Sequence, residues 1–327
     1  MHDGKAYTIG PDDKQAGHAD LFWAVCGGGG GNFGVVTKFW VRATAVDRPL
    51  STFTVSWDDP TLRAPVMKEW CEWSSRGDVR LTSFCRVSAP DPTNTDLPVV
   101  VGGNCVASAD DTIALLRKLL PATITVATTI HVEPVHKRDA SRLTHADYQP
   151  GPPAAALRAV AGVGDNPIAP LANTCSGQSF RHMVSSCFPS PKFGDEAIEK
   201  LAAYIGGTTP DPFARRYLSL HAMGGKVADT VDENCFPWRE KKFMLQYQAW
   251  WVLTPGNGDI DQRSMDWLRK IRDDMFPTYT DGAFINFPDR EVSIDRYYGN
   301  SLAKLKRCRD KFVPSNIFDF PMSIPRE

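Results

Sequence analysis

The segment that most constrains the fold lies near the N-terminus. It reads Asp20-Leu21-Phe22-Trp23-Ala24-Val25-Cys26, then five consecutive glycines from Gly27 to Gly31, then Asn32-Phe33-Gly34-Val35-Val36-Thr37. Glycine loses more backbone freedom on folding than any other residue. A run of five therefore implies positive φ angles, or backbone lying where a side chain would be pushed away. Gly29-Gly30-Gly31-Asn32-Phe33-Gly34 fits G-x-G-x-x-G formally, but a dinucleotide fingerprint follows a strand and opens a helix. Here the order is reversed. Asp20 can cap a short helix carrying Leu21, Phe22 and Trp23, and the β-branched, aromatic run that follows predicts a strand over Gly34 to Thr44. No Gly-Lys-Ser/Thr step follows the glycines, so this is not a P-loop. Two readings stay open at this point: a flexible helix-to-strand loop, and a backbone surface that a ligand approaches closely.

The rest of the chain narrows the class. Its 327 residues allow one large or two ordinary domains, and 42% hydrophobic with 23% charged residues is a globular composition able to bury a sizeable core. A net charge of -1 gives no long-range field to favour nucleic acid or an acidic membrane. No run of about 18 apolar residues suggests a membrane span. The polar N-terminus has no apolar h-region, which predicts no signal peptide and a cytoplasmic chain if Met1 is the true start. The eight cysteines are scattered and form no Cys-x-x-Cys pair, which argues for reduced, buried thiols rather than zinc or a disulfide framework. No His-Glu-x-x-His occurs, His131 and His136 are wrongly spaced for one helical face, and no metal site is expected. No Gly-x-Ser-x-Gly marks a hydrolase elbow.

Periodicity predicts strands over Thr52 to Trp57, Val79 to Ser88, Pro98 to Ala107, Thr123 to Glu133, Ser179 to Cys187, Arg216 to Met223 and Lys242 to Leu253. It predicts helices over Leu62 to Ser74, from a cap at Asp110 or Asp111 to Leu120, and over Asp195 to Ile205, Asp261 to Met275 and Leu302 to Lys311. Gln149 to Pro170, rich in Pro, Ala and Gly, reads as a long loop with one helical turn at Ala154 to Ala161. This order of elements predicts an α+β fold, a large antiparallel sheet with helices on one face.

Three ordered stretches carry a family resemblance. The first is Asp-Leu-Phe-Trp-Ala, the glycine run and Asn-Phe-Gly-Val-Val-Thr. The second is Gly224-Gly225-Lys226-Val227, Cys235-Phe236-Pro237-Trp238-Arg239 and Gln246-Tyr247. The third is Asn286-Phe287-Pro288-Asp289, Tyr297-Tyr298-Gly299-Asn300, Leu305, Lys311-Phe312 and Pro314-Ser315-Asn316-Ile317-Phe318. Together they resemble the berberine bridge enzyme-like family of FAD-linked oxidoreductases, in the vanillyl-alcohol-oxidase-type superfamily. The resemblance implies a substrate domain over residues 45-284, whose sheet roofs a flavin. It implies a remnant of the FAD-binding domain formed by both chain ends, residues 1-44 with the glycine loop and residues 285-327 returning to it. No Arg-Ser-Gly-Gly-His-like segment, the kind that attaches flavin covalently in this family, is present in the chain. The resemblance thus implies a chain lacking most of the N-terminal FAD-binding module, with a second chain supplying it as one expected partner beside a small-molecule substrate.

By this resemblance Gly28, Gly29, Gly30, Gly31, Asn32, Phe33, Gly34, Asn286, Tyr298 and Asn300 would lie against FAD. A sheet with helices on one side leaves its other face to a ligand, and strand alternation sets which side chains point there. Met244, Gln246, Gln248 and Trp250 share one face of their strand, and Tyr217, Ser219 and His221 share one face of theirs. His221, Gln246, Gln248 and Tyr217 are the candidate catalytic residues. An exposed polar sheet face is the competing structural reading. Two departures from the family pattern matter: Phe287 stands where a tyrosine is common and can neither take nor give a proton, and Trp238 stands where a histidine is common. A hydride-transfer oxidase needs a base, and His221 is the substitute. The activity expected is two-electron oxidation of a small secondary metabolite or sugar-like substrate. The alternatives are a flavin-free binding protein, a non-redox cyclase or a partner subunit.

Overall fold

The structure is a computed structural model and describes residues 1, 3–41, 47–92, 96–135, 180–229, 233–252, 256 and 258–327. The long loop expected at Gln149 to Pro170, with its helical turn, lies outside the described residues, as do Cys175 and His136. Eight strands run in the order β1 (Ser51–Trp57), β2 (Leu81–Ser88), β3 (Val99–Cys105), β4 (Thr129–Pro134), β5 (Phe180–Pro189), β6 (Ala214–Ala222), β7 (Phe243–Val252) and β8 (Thr280–Asp281). They form one sheet in the spatial order β4-β1-β3-β2-β6-β7-β5-β8. Every pairing along it is antiparallel, so the α+β expectation holds.

Alternation places one set of side chains under helices. Phe53, Val55 and Trp57 of β1, Cys85 and Val87 of β2, Val99 and Val101 of β3, Leu218 and Leu220 of β6, and Leu245, Tyr247, Ala249 and Trp251 of β7 join one buried core. Its other wall comes from α2 (Arg63–Arg76), α3 (Ala109–Leu119), α4 (Asp195–Gly206) and α6 (Ile260–Met275), through residues such as Met67, Trp70, Leu116, Leu201 and Leu268. The helices earn this position by spacing. Ile260, Ser264, Trp267, Leu268, Ile271 and Met275 recur at three- and four-residue steps along α6, one stripe of a helix.

The chain ends build a second core. Leu21 and Ala24 of α1 (His18–Val25), Phe33, Tyr297 and Tyr298 of α7 (Ile294–Tyr298), Leu302, Leu305, Cys308 and Phe312 of α8 (Leu302–Phe312), and Ile324 pack together with Cys235 and Ala283. Lys304 and Asp20 close an ion pair of 2.9 Å across α8 and α1. A short helix α5 (Lys226–Asp229) follows β6. Among the described residues no helix is long and apolar enough to cross a membrane, and no group of three or more His, Cys, Asp or Glu is arranged to hold a metal ion.

Four expectations are corrected. Residues 34–41 form no strand, because a strand needs a partner for its backbone groups and none among the described residues pairs with this segment. Asp20 sits inside the first turn of α1, whose N-cap is Gly17. The N-cap of α3 is Ser108, whose hydroxyl accepts from the Asp111 N–H. The strand expected from Thr123 begins at Thr129, since Thr123–Val126 coils into a 3-10 turn. Glu69 fixes that turn by accepting from the Ala122 and Thr123 N–H groups at 2.9 and 3.1 Å and from the Thr123 hydroxyl at 2.5 Å.

Candidate functional site

The sheet face opposite the helices is polar and internally bonded. Register sets Tyr217 beside Gln248 and Ser219 beside Gln246. It also sets His182 beside Trp250, Val184 beside Gln248 and Ser186 beside Gln246, and Arg86 beside Ser219 and Ser88 beside Tyr217. Tyr217, Ser219, Gln246 and Gln248 are all buried. Of the two readings the sequence left open for this face, an exposed polar surface does not describe these four positions.

The hydrogen bonds can be traced from a group with no choice. An indole N–H only donates, and Trp250 Nε1 lies 3.1 Å from Tyr217 Oη and 3.2 Å from Gln248 Oε1. Tyr217 Oη donates to the same Gln248 Oε1 at 3.0 Å. The Gln248 amide is thereby oriented, and its Nε2 donates to Gln246 Oε1 at 2.8 Å. Gln246 Oε1 is then the acceptor facing His221 Nε2 at 2.9 Å, so His221 carries its proton on Nε2 and leaves Nδ1 as an open acceptor. His182 Nε2 reaches Gln248 Oε1 at 3.2 Å, with its ring stacked on Trp250 at 3.7 Å.

Desolvation sets the protonation states. Burial pushes the imidazole of His221 below its ordinary value, only partly opposed by its bond to Gln246. Desolvation against the sheet likewise pushes His182 down to about 4, with its hydrogen bond to Gln248 opposing, although the residue is exposed at this edge of the face. Burial pushes the Tyr217 phenol up to about 12. Near neutral pH the face therefore presents two neutral imidazoles, a neutral phenol and two amides. It can orient a polar ligand and accept a proton at His221 Nδ1.

One corner of the face is closed by the C-terminal segment. Ser186 Oγ accepts from the Phe284 N–H at 2.9 Å and donates to its carbonyl at 3.2 Å. Phe188, Phe236, Trp238, Phe284 and Phe287 form an aromatic cluster there. Trp238 is bonded through Nε1 to the Tyr297 carbonyl at 3.2 Å and is a packing residue. Asn286 and Asn300 are exposed.

The glycine loop has a different character. Asn32 Nδ2 and Tyr298 Oη both donate to the Gly28 carbonyl, at 2.8 and 2.7 Å, and Asn32 Oδ1 accepts from the Ile324 N–H at 2.8 Å. Phe33 is buried in the second core, and Gly34 is half-buried. These side chains tie the two chain ends together. A Cβ on Gly27 would meet the Phe236 backbone at 2.9 Å, on Gly28 the Ala24 carbonyl at 2.5 Å, and on Gly29 the Ile285 side chain at 2.8 Å. Gly30 has open space around it, and Gly31, at φ +79, has only the Phe320 ring at 3.5 Å. The loop also follows the C-terminus of α1, where helix carbonyls disfavour an anion. Among the described residues the loop therefore offers no helix N-terminus to cradle a phosphate.

His182, Trp250, Ser186, Arg86 and Ser88 were not singled out from the sequence. Alternation put Trp250 on the right face of its strand. The inward face of β5 and the approach of β2 come from pairing with neighbours distant in sequence, which alternation within one strand does not report.

The fold, a large antiparallel sheet with helices on one face, is matched by solved structures of BBE-like proteins and sugar oxidases. The family described as "Berberine and berberine like" matches residues 283–325. The chain is 26% identical over 332 residues to the FAD-linked oxidoreductase YvdP of Bacillus subtilis, covering 99% of this chain and 64% of that one. It is 24% identical over 372 residues to a hexose oxidase of Chondrus crispus, covering 96% and 64%. Among solved structures, a variant of Physcomitrella patens BBE-like 1 superposes with a TM-score of 0.75 at 19% identity, over 99% of this chain and 63% of that one. A glycopeptide hexose oxidase complexed with teicoplanin gives 0.69 at 22% identity, over 96% and 65%. The chain is similar to berberine bridge enzyme-like FAD-linked oxidoreductases, and it spans somewhat under two thirds of the length of the relatives it matches.

Proposed function

We propose that this chain forms the substrate-facing part of an FAD-dependent oxidoreductase of berberine bridge enzyme type, acting on a small secondary metabolite or sugar-like substrate. The observation that carries the reading is the bonded polar wall of Tyr217, Gln248, Gln246 and His221 on the helix-free face. A flavin, when bound, supplies the two-electron acceptor. This chain supplies the rest of one side. Gln246 and Gln248 hold the network rigid, Trp250 and His182 offer flat surface to a ring, and His221 Nδ1 takes the substrate proton that Phe287 cannot take. Residues 1-44 and 285-327 form the unit that meets the flavin edge, and its phosphates are bound by groups outside the described residues, supplied by more of the same protein or by a partner chain. The hexose oxidase and the glycopeptide hexose oxidase among its relatives support a hydroxyl-rich or ring-bearing substrate.

The self-packed glycine loop favours a second reading, a flavin-free protein that uses the same wall to bind a ligand. An absorbance titration with riboflavin and with FAD separates the two. The flavin reading expects both to shift the visible flavin bands with similar, modest affinity, because the ring contributes and the phosphates do not. A folded chain that takes up neither would leave the ligand-binding reading in its place.

A further inference from the structure

The polar face holds one charged group that its hydrogen bonds leave unused. Arg86 is 8% exposed, sits in the middle of the sheet between Ser219 and Val100, and makes no hydrogen bond and no ion pair within 4 Å among the described residues. Its Nε is buried without a partner. The Nε atoms of Arg216, Arg239 and Arg309 are likewise unpartnered, but every other buried arginine makes hydrogen bonds through its remaining nitrogens or Nε. Arg63 donates to the Ser88 and Pro60 carbonyls, Arg216 to Ser264 Oγ and towards Asp211, Arg239 to the Val227 carbonyl, and Arg309 to the Ile324 and Phe318 carbonyls. Arg86 has only the face of the Tyr217 ring, 5.9 Å from its guanidinium. A cation over an aromatic ring does not replace the hydrogen bond of an N–H taken out of water. Two residues along the same strand, Ser88 Oγ is also buried without a partner.

The surrounding charge defines what fits. Arg215 shares this face at the next strand and stands 3.6 Å from the buried Asp96. Asp96 feels Arg86 electrostatically but closes no ion pair with it. Asp91 lies beside Asp96, accepting from its N–H at 3.0 Å, so the uncompensated charge is that of the Arg86 guanidinium itself, a single cation that suits a monoanion better than a dianion. A planar fork beside a hydroxyl suits a carboxylate.

We propose that Arg86, with the Ser88 hydroxyl, is the docking point for a carboxylate carried by the protein's small-molecule ligand. The ligand's body then runs over Tyr217 and Ser219 towards Gln246 and His221. Along the strand and one strand over, that is roughly 8 Å, so the carboxylate and the group presented to His221 are several bonds apart. The inference rests on the proposed function only in calling this ligand a substrate. Its test needs no flavin and no turnover, so either proposal can fail without the other.

The test is isothermal titration of the full chain with benzoate and with its neutral isostere benzamide, with inorganic phosphate as competitor. Benzoate is expected to bind about tenfold more tightly than benzamide. Arg86→Gln should bring the ratio to about one, and Ser88→Ala should narrow it with the fold intact by circular dichroism. If Arg86→Gln does not fold, Arg86→Lys, which keeps the charge and loses the fork, should still reduce the ratio. A wild-type chain that does not distinguish the two probes, a ratio that survives these Arg86 substitutions, or phosphate displacing benzoate at a lower concentration than benzoate itself requires would each overturn the carboxylate site.

Discussion

His221 shows how one residue's chemistry is decided by others. Its tautomer follows from Trp250, three hydrogen bonds away, because an indole can only donate and each amide between them has one orientation that satisfies both neighbours. Its neutrality follows from burial. Both histidines of this face have folded pKa values below the unfolded value of about 6.5, and His182 falls to about 4. The unfolded chain therefore binds these protons first as pH drops. The stability tied to neutral imidazoles is fully present above about pH 6.5 and is lost as pH falls towards the folded values. Thermal unfolding followed from pH 7 to 5 should show a falling Tm, and His221→Gln and His182→Gln should each make that slope shallower. A variant slope equal to that of the parent would mean the residue titrates normally in the folded chain. The site also predicts that Gln248→Leu costs about 2 kcal/mol in chemical denaturation, since it leaves the Tyr217 hydroxyl and the Trp250 N–H without their shared acceptor. A change within a few tenths would show that water replaces the amide without penalty.

At the scale of elements, the loop that dominates the sequence serves the fold more than a ligand. Gly28 lies where helix α1 ends, its N–H bonded to the Ala24 carbonyl at 2.9 Å and its own carbonyl taking both Asn32 and Tyr298. Gly28→Ala drives a Cβ to 2.5 Å from the Ala24 carbonyl and should cost about 2 kcal/mol or more. Gly30→Ala meets nothing within 4 Å and should be neutral within about half a kcal/mol. Urea denaturation of both variants checks this contrast, and equal costs would mean the loop is organised differently. Much of the sheet was legible beforehand. In β6 and β7 the alternation of Leu218, Leu220, Leu245 and Tyr247 with Tyr217, Ser219, Gln246 and Gln248 announced both the strands and their two faces. Arg86 and Ser88 were not legible as part of the site, because nothing in β2 alone says that it lies beside β6. The strand expected after Gly34 failed for the complementary reason. Val35, Val36, Phe39, Trp40 and Val41 have strong β propensity, but propensity yields a strand only where another edge satisfies its backbone.

That unpaired segment sets the behaviour of the whole molecule. Val35, Phe39, Trp40 and Val41 are 76, 75, 69 and 86% exposed, an apolar stretch interrupted by Thr37 and Lys38 that a lone globular chain seldom leaves in water. It follows the glycine loop directly, on the unit built by the two chain ends. The relatives that the chain matches along nearly its whole length are themselves longer, with 64% of one and 59% of another covered. A β-prone segment with exposed apolar side chains and no backbone pairing among the described residues is a template for pairing with another chain. The chain on its own should therefore associate as its concentration rises, and sedimentation velocity over a dilution series should show the sedimentation coefficient climbing. Phe39→Lys with Trp40→Lys should hold it at the monomer value without altering the circular dichroism, since neither side chain belongs to either buried core. A monomer at every concentration, or association that survives the double substitution, would show that the contact lies elsewhere.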